Sequence, residues 1–144
     1  MIFLDIDGVV APIRRWDRYG DLESACIDAL NEIVAGGDAD VVVSSTWRHG
    51  MSVAQLQEAL AAAGFKGTVV DVTPTGAAGA SRGDEIAAWL AGNDVTGYVI
   101  IDDHVDMGAL RTQLVVTHPA HGLRPADVPR AIEILTRHAK GAGP

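Results

Sequence analysis

The chain begins Met1-Ile2-Phe3-Leu4-Asp5-Ile6-Asp7-Gly8-Val9-Val10. Ile2, Phe3, Leu4 and Ile6 form a short apolar run that reads as a β-strand, with Asp5, Asp7 and Gly8 at its end. Two acids at the end of a buried strand are costly unless they are paired or hold a metal. Four more short runs follow: Val41-Val42-Val43, Thr68-Val69-Val70, Tyr98-Val99-Ile100-Ile101 and Leu114-Val115-Val116-Thr117. Most are rich in β-branched residues, as strands buried on both faces of a parallel sheet are.

Helical patterns fill the gaps. Leu22, Cys26, Ala29, Leu30, Ile33 and Val34 share one stripe, which Gly36 and Gly37 are expected to end. Val53, Leu56, Leu60 and Ala63 make a second stripe, stopped by Gly64. Ile86, Trp89 and Leu90 mark a third helix. Val128, Ala131, Ile132 and Leu135 mark a fourth, with Pro129 tolerated in its first turn. The alternation predicts an α/β three-layer sandwich around a five-stranded parallel, Rossmann-like sheet. One domain is expected over residues 1–139, with a disordered tail at 140–144. Residues 11–20 read as a loop, and residues 73–83 as a flexible Gly-, Ala- and Pro-rich segment.

A length of 144 residues suffices for a disulfide-free core, and 48% hydrophobic with 21% charged residues excludes wholesale disorder. The formal charge of −8 argues against a protein that coats nucleic acid non-specifically, though not against a local basic groove. The lone cysteine, Cys26, allows no internal disulfide and falls on the apolar stripe of the first helix. The N-terminus lacks the basic flank of a signal peptide, and no apolar run is long enough to span a bilayer, so a cytoplasmic location is expected.

In open α/β sheets, ligands bind beyond the carboxyl ends of the strands. There the sequence places Asp5 and Asp7, then Ser44, Ser45 and Thr46, then Asp102 and Asp103, with Arg82 leading into the third helix. Several carboxylates in one crevice repel each other, and a magnesium ion with its preference for oxygen relieves that repulsion. A carboxylate can attack phosphorus, a second can protonate the leaving oxygen, and a hydroxyl and a cation can steady the equatorial oxygens.

These residues resemble the motifs of the haloacid dehalogenase (HAD) superfamily of phosphohydrolases. Residues 3–10 match its strand-DxDG motif, Val41-Val42-Val43-Ser44 its second, Arg82 its basic third, and Val99-Ile100-Ile101-Asp102-Asp103 its acidic fourth. The likeness covers residues 1 to about 137, in order and on the expected elements. It implies that Asp5 is the nucleophile and a metal ligand. Asp7 is then the general acid/base, with its backbone carbonyl on the metal. Ser44 holds the phosphate, with Ser45 and Thr46 as rivals by one register step. Arg82 steadies nucleophile and phosphate; the family more often has lysine. Asp102 and Asp103 bind magnesium, one directly and one through water, with Asp103 favoured for the direct contact.

The segments after Asp7 and between Ser44 and Arg82 are too short for a cap domain, which leaves the crevice open to large substrates. Ser44-Ser45-Thr46-Trp47-Arg48, Arg82-Gly83-Asp84-Glu85-Ile86 with Trp89-Leu90, Thr117 and Gly122-Leu123 resemble small HAD domains of RNA repair and the phosphatase half of polynucleotide kinase–phosphatases. That likeness implies removal of terminal phosphates from nucleic acid, chiefly 3′-phosphates. It also implies a separate kinase or ligase partner, since the chain lacks a P-loop. A small-molecule phosphatase such as a 5′-nucleotidase is the alternative. Other classes are a receiver-like phosphoacceptor, whose acidic pair would follow the first strand, and a binding module. Arg15, Arg48 and Trp16 are candidate substrate contacts, with Arg14 and Arg18 beside them. Trp47 is expected in the core. His104 is placed to tune the acidic pair or meet substrate. His118 and His121 lack the partners a zinc site needs.

Overall fold

The computed structural model describes residues 1–15, 17 and 20–141, except for the side chains of Arg48 and of residues 138–141. Five parallel strands form one sheet: β1 (Ile2–Leu4), β2 (Val41–Val43), β3 (Val69–Val72), β4 (Val99–Asp102) and β5 (Leu114–Val116), in the order β3-β2-β1-β4-β5. Four α-helices accompany them: α1 (Ser24–Gly37), α2 (Val53–Ala62), α3 (Arg82–Ala91) and α4 (Val128–Gly141).

Alternation along the strands divides the core. Ile2, Leu4, Val41, Val43, Val99 and Ile101 face the layer that holds α1, α2 and α4. Phe3, Val42 and Ile100 face the other layer, where Ile86 and Trp89 of α3 and Met107 close the core. Phe3 meets Trp89 and Tyr98 edge-on, with ring centroids 5.4 and 5.7 Å apart. The result is the expected three-layer sandwich, and no cap domain is present among the described residues.

This topology creates the crevice. From β1 the chain winds outward through β2 to β3, then crosses back on the opposite face to β4 and β5. The strand order therefore reverses between β1 and β4, where open α/β sheets leave a cleft at their carboxyl edge.

Boundaries differ from expectation in instructive ways. Strand β1 ends at Leu4 rather than Ile6, although the Asp5 N–H still donates to Ile101 O at 3.0 Å. The third strand is shifted to Val69–Val72, and a register irregularity lies in its pairing with β2. Helix α1 runs through Gly36 and Gly37, and Asp38 at φ 48° takes the left-handed closing position instead. Ser81 caps α3 in a reciprocal pair with Asp84, so Arg82 is the first helical residue and not part of a loop. The Glu85 carboxylate accepts from the Gly76 N–H at 2.9 Å, tying down part of the segment read as flexible. Helix α4 extends to Gly141 and takes in Lys140 and Gly141 from the expected tail. Among the described residues no helix is long and apolar enough to cross a membrane.

Candidate active site

Backbone hydrogen bonds continue one residue beyond each strand and line up a row of side chains. Asp5 N–H donates to Ile101 O, Ser44 N–H to Leu4 O, Thr73 N–H to Val43 O and Thr117 N–H to Asp102 O, all within 2.8–3.0 Å. In sheet order the carboxyl edge therefore reads Thr73, Ser44, Asp5, Asp102, Thr117. Five strands distant in sequence thus deliver a carboxylate pair flanked by hydroxyls.

The turn after β1 is tightly wound. The Ile6 carbonyl accepts from the N–H groups of Val9, Val10 and Ala11 at 3.0–3.1 Å. Gly8 sits at φ +82°, and a Cβ there would overlap Oδ2 of Asp103. Only glycine allows the turn to press against the acidic pair.

Ligand atoms of Asp5, Asp102, Asp103 and His104 all lie within 4.8 Å of one another. Asp5 and Asp102 are buried; Asp102 Oδ2 and Asp103 Oδ1 are buried with no hydrogen-bond partner among the described residues, although His104 Nδ1 lies 3.0 Å from Asp103 Oδ1 as an ion-pair neighbour when protonated. Asp102 Oδ2 has only Arg82 Nε at 3.7 Å, while Asp102 Oδ1 accepts from the His104 N–H at 3.0 Å. Burial, then the charge of Asp102 and a hydrogen bond with Asp103, push the Asp5 carboxyl up to about 9, against the opposing pull of Arg82. Burial likewise raises Asp102, opposed by its bonds to His104 and by Arg82. For exposed His104, burial lowers the pKa, but Asp103 and Asp102 outweigh it and the net shift is upward. Without a cation the crevice must hold protons. Three carboxylates gathered in one crevice, with a buried Asp102 oxygen left unbonded, suit a hard divalent ion, so the residues present fit magnesium, with the exposed His104 imidazole at the edge of the cluster.

The other expected residues divide into those brought to this row and those left apart. Ser44 Oγ lies 3.5 Å from Arg82 Nη1 and accepts from Thr73 Oγ1 at 3.4 Å, which brings Ser44 into the row at the carboxyl edge. Ser45 is buried and its hydroxyl accepts from the Trp47 N–H, starting a 3₁₀ turn at Thr46–His49 on which Thr46 is exposed. The Asp7 carboxylate stands outside the four-group cluster. Trp47 Nε1 lies 3.2 Å from each of its oxygens. Trp47 is thus more than the core residue expected: half-buried against the core, it also holds the second aspartate. Burial raises the Asp7 pKa, the Trp47 bond lowers it, and Asp103 raises it again. Arg15 is exposed and paired with Asp17 at 3.1 Å. Trp16 and the Arg48 side chain, both expected at the substrate, lie outside the described residues.

Sequence reasoning missed Thr73 and the Trp47–Asp7 bond. Thr73 was legible as the residue after an apolar strand, had β3 been placed two residues later.

Fold and site together define a capless HAD domain, in which carboxylates gather at the switch point of a parallel sheet. Over residues 1–128 the chain matches the family described as the HAD domain in Swiss Army Knife RNA repair proteins, and it belongs to that family. No curated protein and no solved structure matches the chain. Family membership supports a phosphatase-type role in nucleic acid repair.

Proposed function

We propose that the protein is a magnesium-dependent phosphomonoesterase that removes terminal phosphates, chiefly 3′-phosphates, from nucleic acid through an aspartyl-phosphate on Asp5. The observation that carries this reading is the cluster of Asp5, Asp102 and Asp103, in which the buried Asp102 Oδ2 has no hydrogen bond and Asp103 Oδ1 faces only the His104 ring, at 3.0 Å. Asp5, Asp102 and Asp103, with the backbone carbonyl of Asp7, would hold the ion. When bound, it supplies charge neutralisation for the acids and for the incoming phosphate.

The chain's own residues do the rest. An Asp5 carboxylate oxygen bonds to phosphorus as the bond to the leaving oxygen breaks. Protonated Asp7 gives that oxygen its proton, so an alcohol departs. Water then attacks the aspartyl-phosphate, Asp7 takes back a proton, and inorganic phosphate leaves with Asp5 restored. Ser44 and Arg82, 3.5 Å apart, bind the equatorial oxygens, and Thr73 orients Ser44. Removal of a 3′-phosphate leaves a 3′-hydroxyl, the end that a separate ligase partner would join.

The test is phosphate release from a 3′-phosphorylated oligonucleotide, a 5′-phosphorylated one, mononucleotides and an aryl phosphate, with magnesium or with chelator. Magnesium-dependent release that Asp5→Asn abolishes and that favours the 3′-end supports the reading. Preference for free 5′-nucleotides would replace it with a nucleotidase. Absence of any release by folded protein that binds magnesium would overturn it.

A further inference from the structure

Beyond the acidic crevice, the loops following β1 and β5 are joined into one rim. Thr117 Oγ1 donates to Gly8 O, the Leu123 N–H to Val9 O and the Ile13 N–H to Pro119 O, each at 2.7 Å. Gly122, at φ +67°, completes the join: a Cβ there would overlap the Val9 carbonyl oxygen and lie 3.1 Å from Pro12 Cγ. Residues far apart in sequence thereby share one surface, and that surface is anchored to the Asp7–Gly8 turn.

The surface carries Arg14, His118, His121 and Arg124, all exposed. The two imidazoles lie 4.8 Å apart between ring centroids. Arg124 foremost, then partial desolvation, His118 and Arg14, hold the His121 pKa below its ordinary value, which places all four groups in one field. Arg14 is paired with Glu23 at 2.9 Å, whereas Arg124 has no ion-pair partner among the described residues. The Asp127 carboxylate accepts from the Arg124 backbone N–H at 2.9 Å. In a chain of net charge −8, two guanidinium groups and two imidazoles gather on this surface, with Glu23 as the ion-pair partner of one of them.

Beside it opens a depression of about 290 Å³ lined by Pro12, Arg14, Arg15, Asp21, Leu22 and Glu23, among others, with Arg14 paired to Glu23 and Arg15 to Asp17. Its volume is near the lower end for small-ligand pockets, about 300 Å³, which suits one nucleoside. Pro12 and Leu22 offer apolar wall, the guanidinium planes can stack on a base, and Glu23 is an acceptor. Pro12 also backs onto Gly122, so depression and cationic rim are continuous.

A mononucleotide bears one phosphate, which the crevice would consume. A second cationic surface next to the crevice suits a substrate that carries a further phosphate, as a strand does at its next phosphodiester. We propose that the depression seats the terminal nucleoside, and that Arg124 with the His118–His121 pair binds the phosphodiester joining it to the next nucleotide. This rests on the phosphatase reading above and names its substrate as a strand.

The test compares kcat/KM for a nucleoside 3′-phosphate, a 3′-phosphorylated dinucleotide and a 3′-phosphorylated hexanucleotide. The expected result is a rise of about tenfold on adding the first phosphodiester, the worth of one charge-assisted contact, with little further gain. Arg124→Ala combined with His121→Ala should erase most of that ratio, and Arg124→Gln, which keeps side-chain bulk beside the α4 turn, should erase part of it. Removing one phosphate contact should also flatten the log–log salt dependence by about 0.7. A ratio near unity in the wild type, or one that survives these variants, overturns the proposal. A binding arm separates its failure from failure of the catalytic reading: fluorescence anisotropy of labelled 3′-phosphorylated hexanucleotide on the Asp5→Asn protein. Binding that weakens with Arg124→Gln, while the wild-type protein releases no phosphate from any of these substrates, would sink the phosphatase and keep the subsite. Binding indifferent to Arg124→Gln and His121→Ala would sink the subsite.

Discussion

Two aspartate environments on one sheet are built on opposite terms. Asp71, on β3, is fully served: Trp89 Nε1 donates to its Oδ2 at 2.8 Å and the Val72 N–H to its Oδ1 at 2.8 Å. Asp102, on β4, is buried more deeply, yet its Oδ2 has no hydrogen bond and faces two further acids. Buried polar groups are ordinarily paired, and leaving one unpaired costs about 1–3 kcal/mol. The fold satisfies its carboxylate away from the switch point and leaves unsatisfied those inside it. Unmet electrostatic demand confined to one crevice marks where a ligand is expected to complete the structure.

Removing the demand is the strongest way to break that contrast. Asp5→Asn should lower turnover by on the order of 10⁴-fold or more, since no nucleophile remains. It should also change how stability depends on pH. With a folded pKa of about 9 against an ordinary 3.8, Asp5 keeps its proton in the folded chain and loses it in the unfolded one across that window. Its contribution is therefore greatest below about pH 4 and falls as pH rises toward 9, by about 1.4 kcal/mol per pH unit. Thermal melts in chelator should fall by at least about 3 °C per unit between pH 6 and 9. Magnesium should flatten that slope by holding Asp5 ionised, and Asp5→Asn should flatten it with no metal. A metal-free melting curve indifferent to pH would show that the acids do not strain the fold.

Gly8→Ala sharpens the contrast by geometry instead of charge. The new methyl group would enter the space of Asp103 Oδ2 at a backbone angle that L-residues avoid. The strain costs about 1–3 kcal/mol of stability. Displacing the acidic pair should cost about a hundredfold in turnover, with a matching loss of magnesium affinity by calorimetry. Wild-type magnesium affinity in this variant would mean that Gly8 serves the turn alone.

The site was legible where chemistry sits next to a strand. Asp5, Ser44 and Asp102 directly follow or end apolar runs, so reading the runs placed the residues. Pairings made only in three dimensions were not legible. Trp47 lies 40 residues from Asp7, and nothing in its neighbourhood distinguishes a core indole from one whose N–H seeks a carboxylate. Thr73 was hidden by the irregular pairing of β3, whose partner to Val42 is Asp71 instead of Val70. The α1 stop was misread because a double glycine is the ordinary signal. Here Gly36 and Gly37 stay helical because α4 packs so closely that a Cβ on either would press into Ile132 or Leu135. Their missing side chains serve packing rather than the turn.

Two tryptophans now carry the comparison to its finest scale, because each gives its indole N–H to an aspartate. Trp89 serves Asp71 from within the core layer of α3. Trp89→Phe keeps an aromatic ring against Phe3 but removes the hydrogen bond and part of the indole volume. It should lower stability by about 1–2 kcal/mol, read as a shifted denaturation midpoint, and leave turnover as it was. Trp47 serves Asp7 at 3.2 Å to both oxygens, from a half-buried position. Its bond favours the ionised carboxylate and so lowers the Asp7 pKa against burial. Trp47→Phe should therefore raise that pKa, and protonated Asp7, the form able to release the leaving group, should persist to higher pH. The alkaline limb of the kcat/KM profile should move upward with only a small change in the denaturation midpoint. An unmoved limb with a large loss of stability would make Trp47 a second Trp89, a packing residue whose aspartate happens to lie beside the crevice.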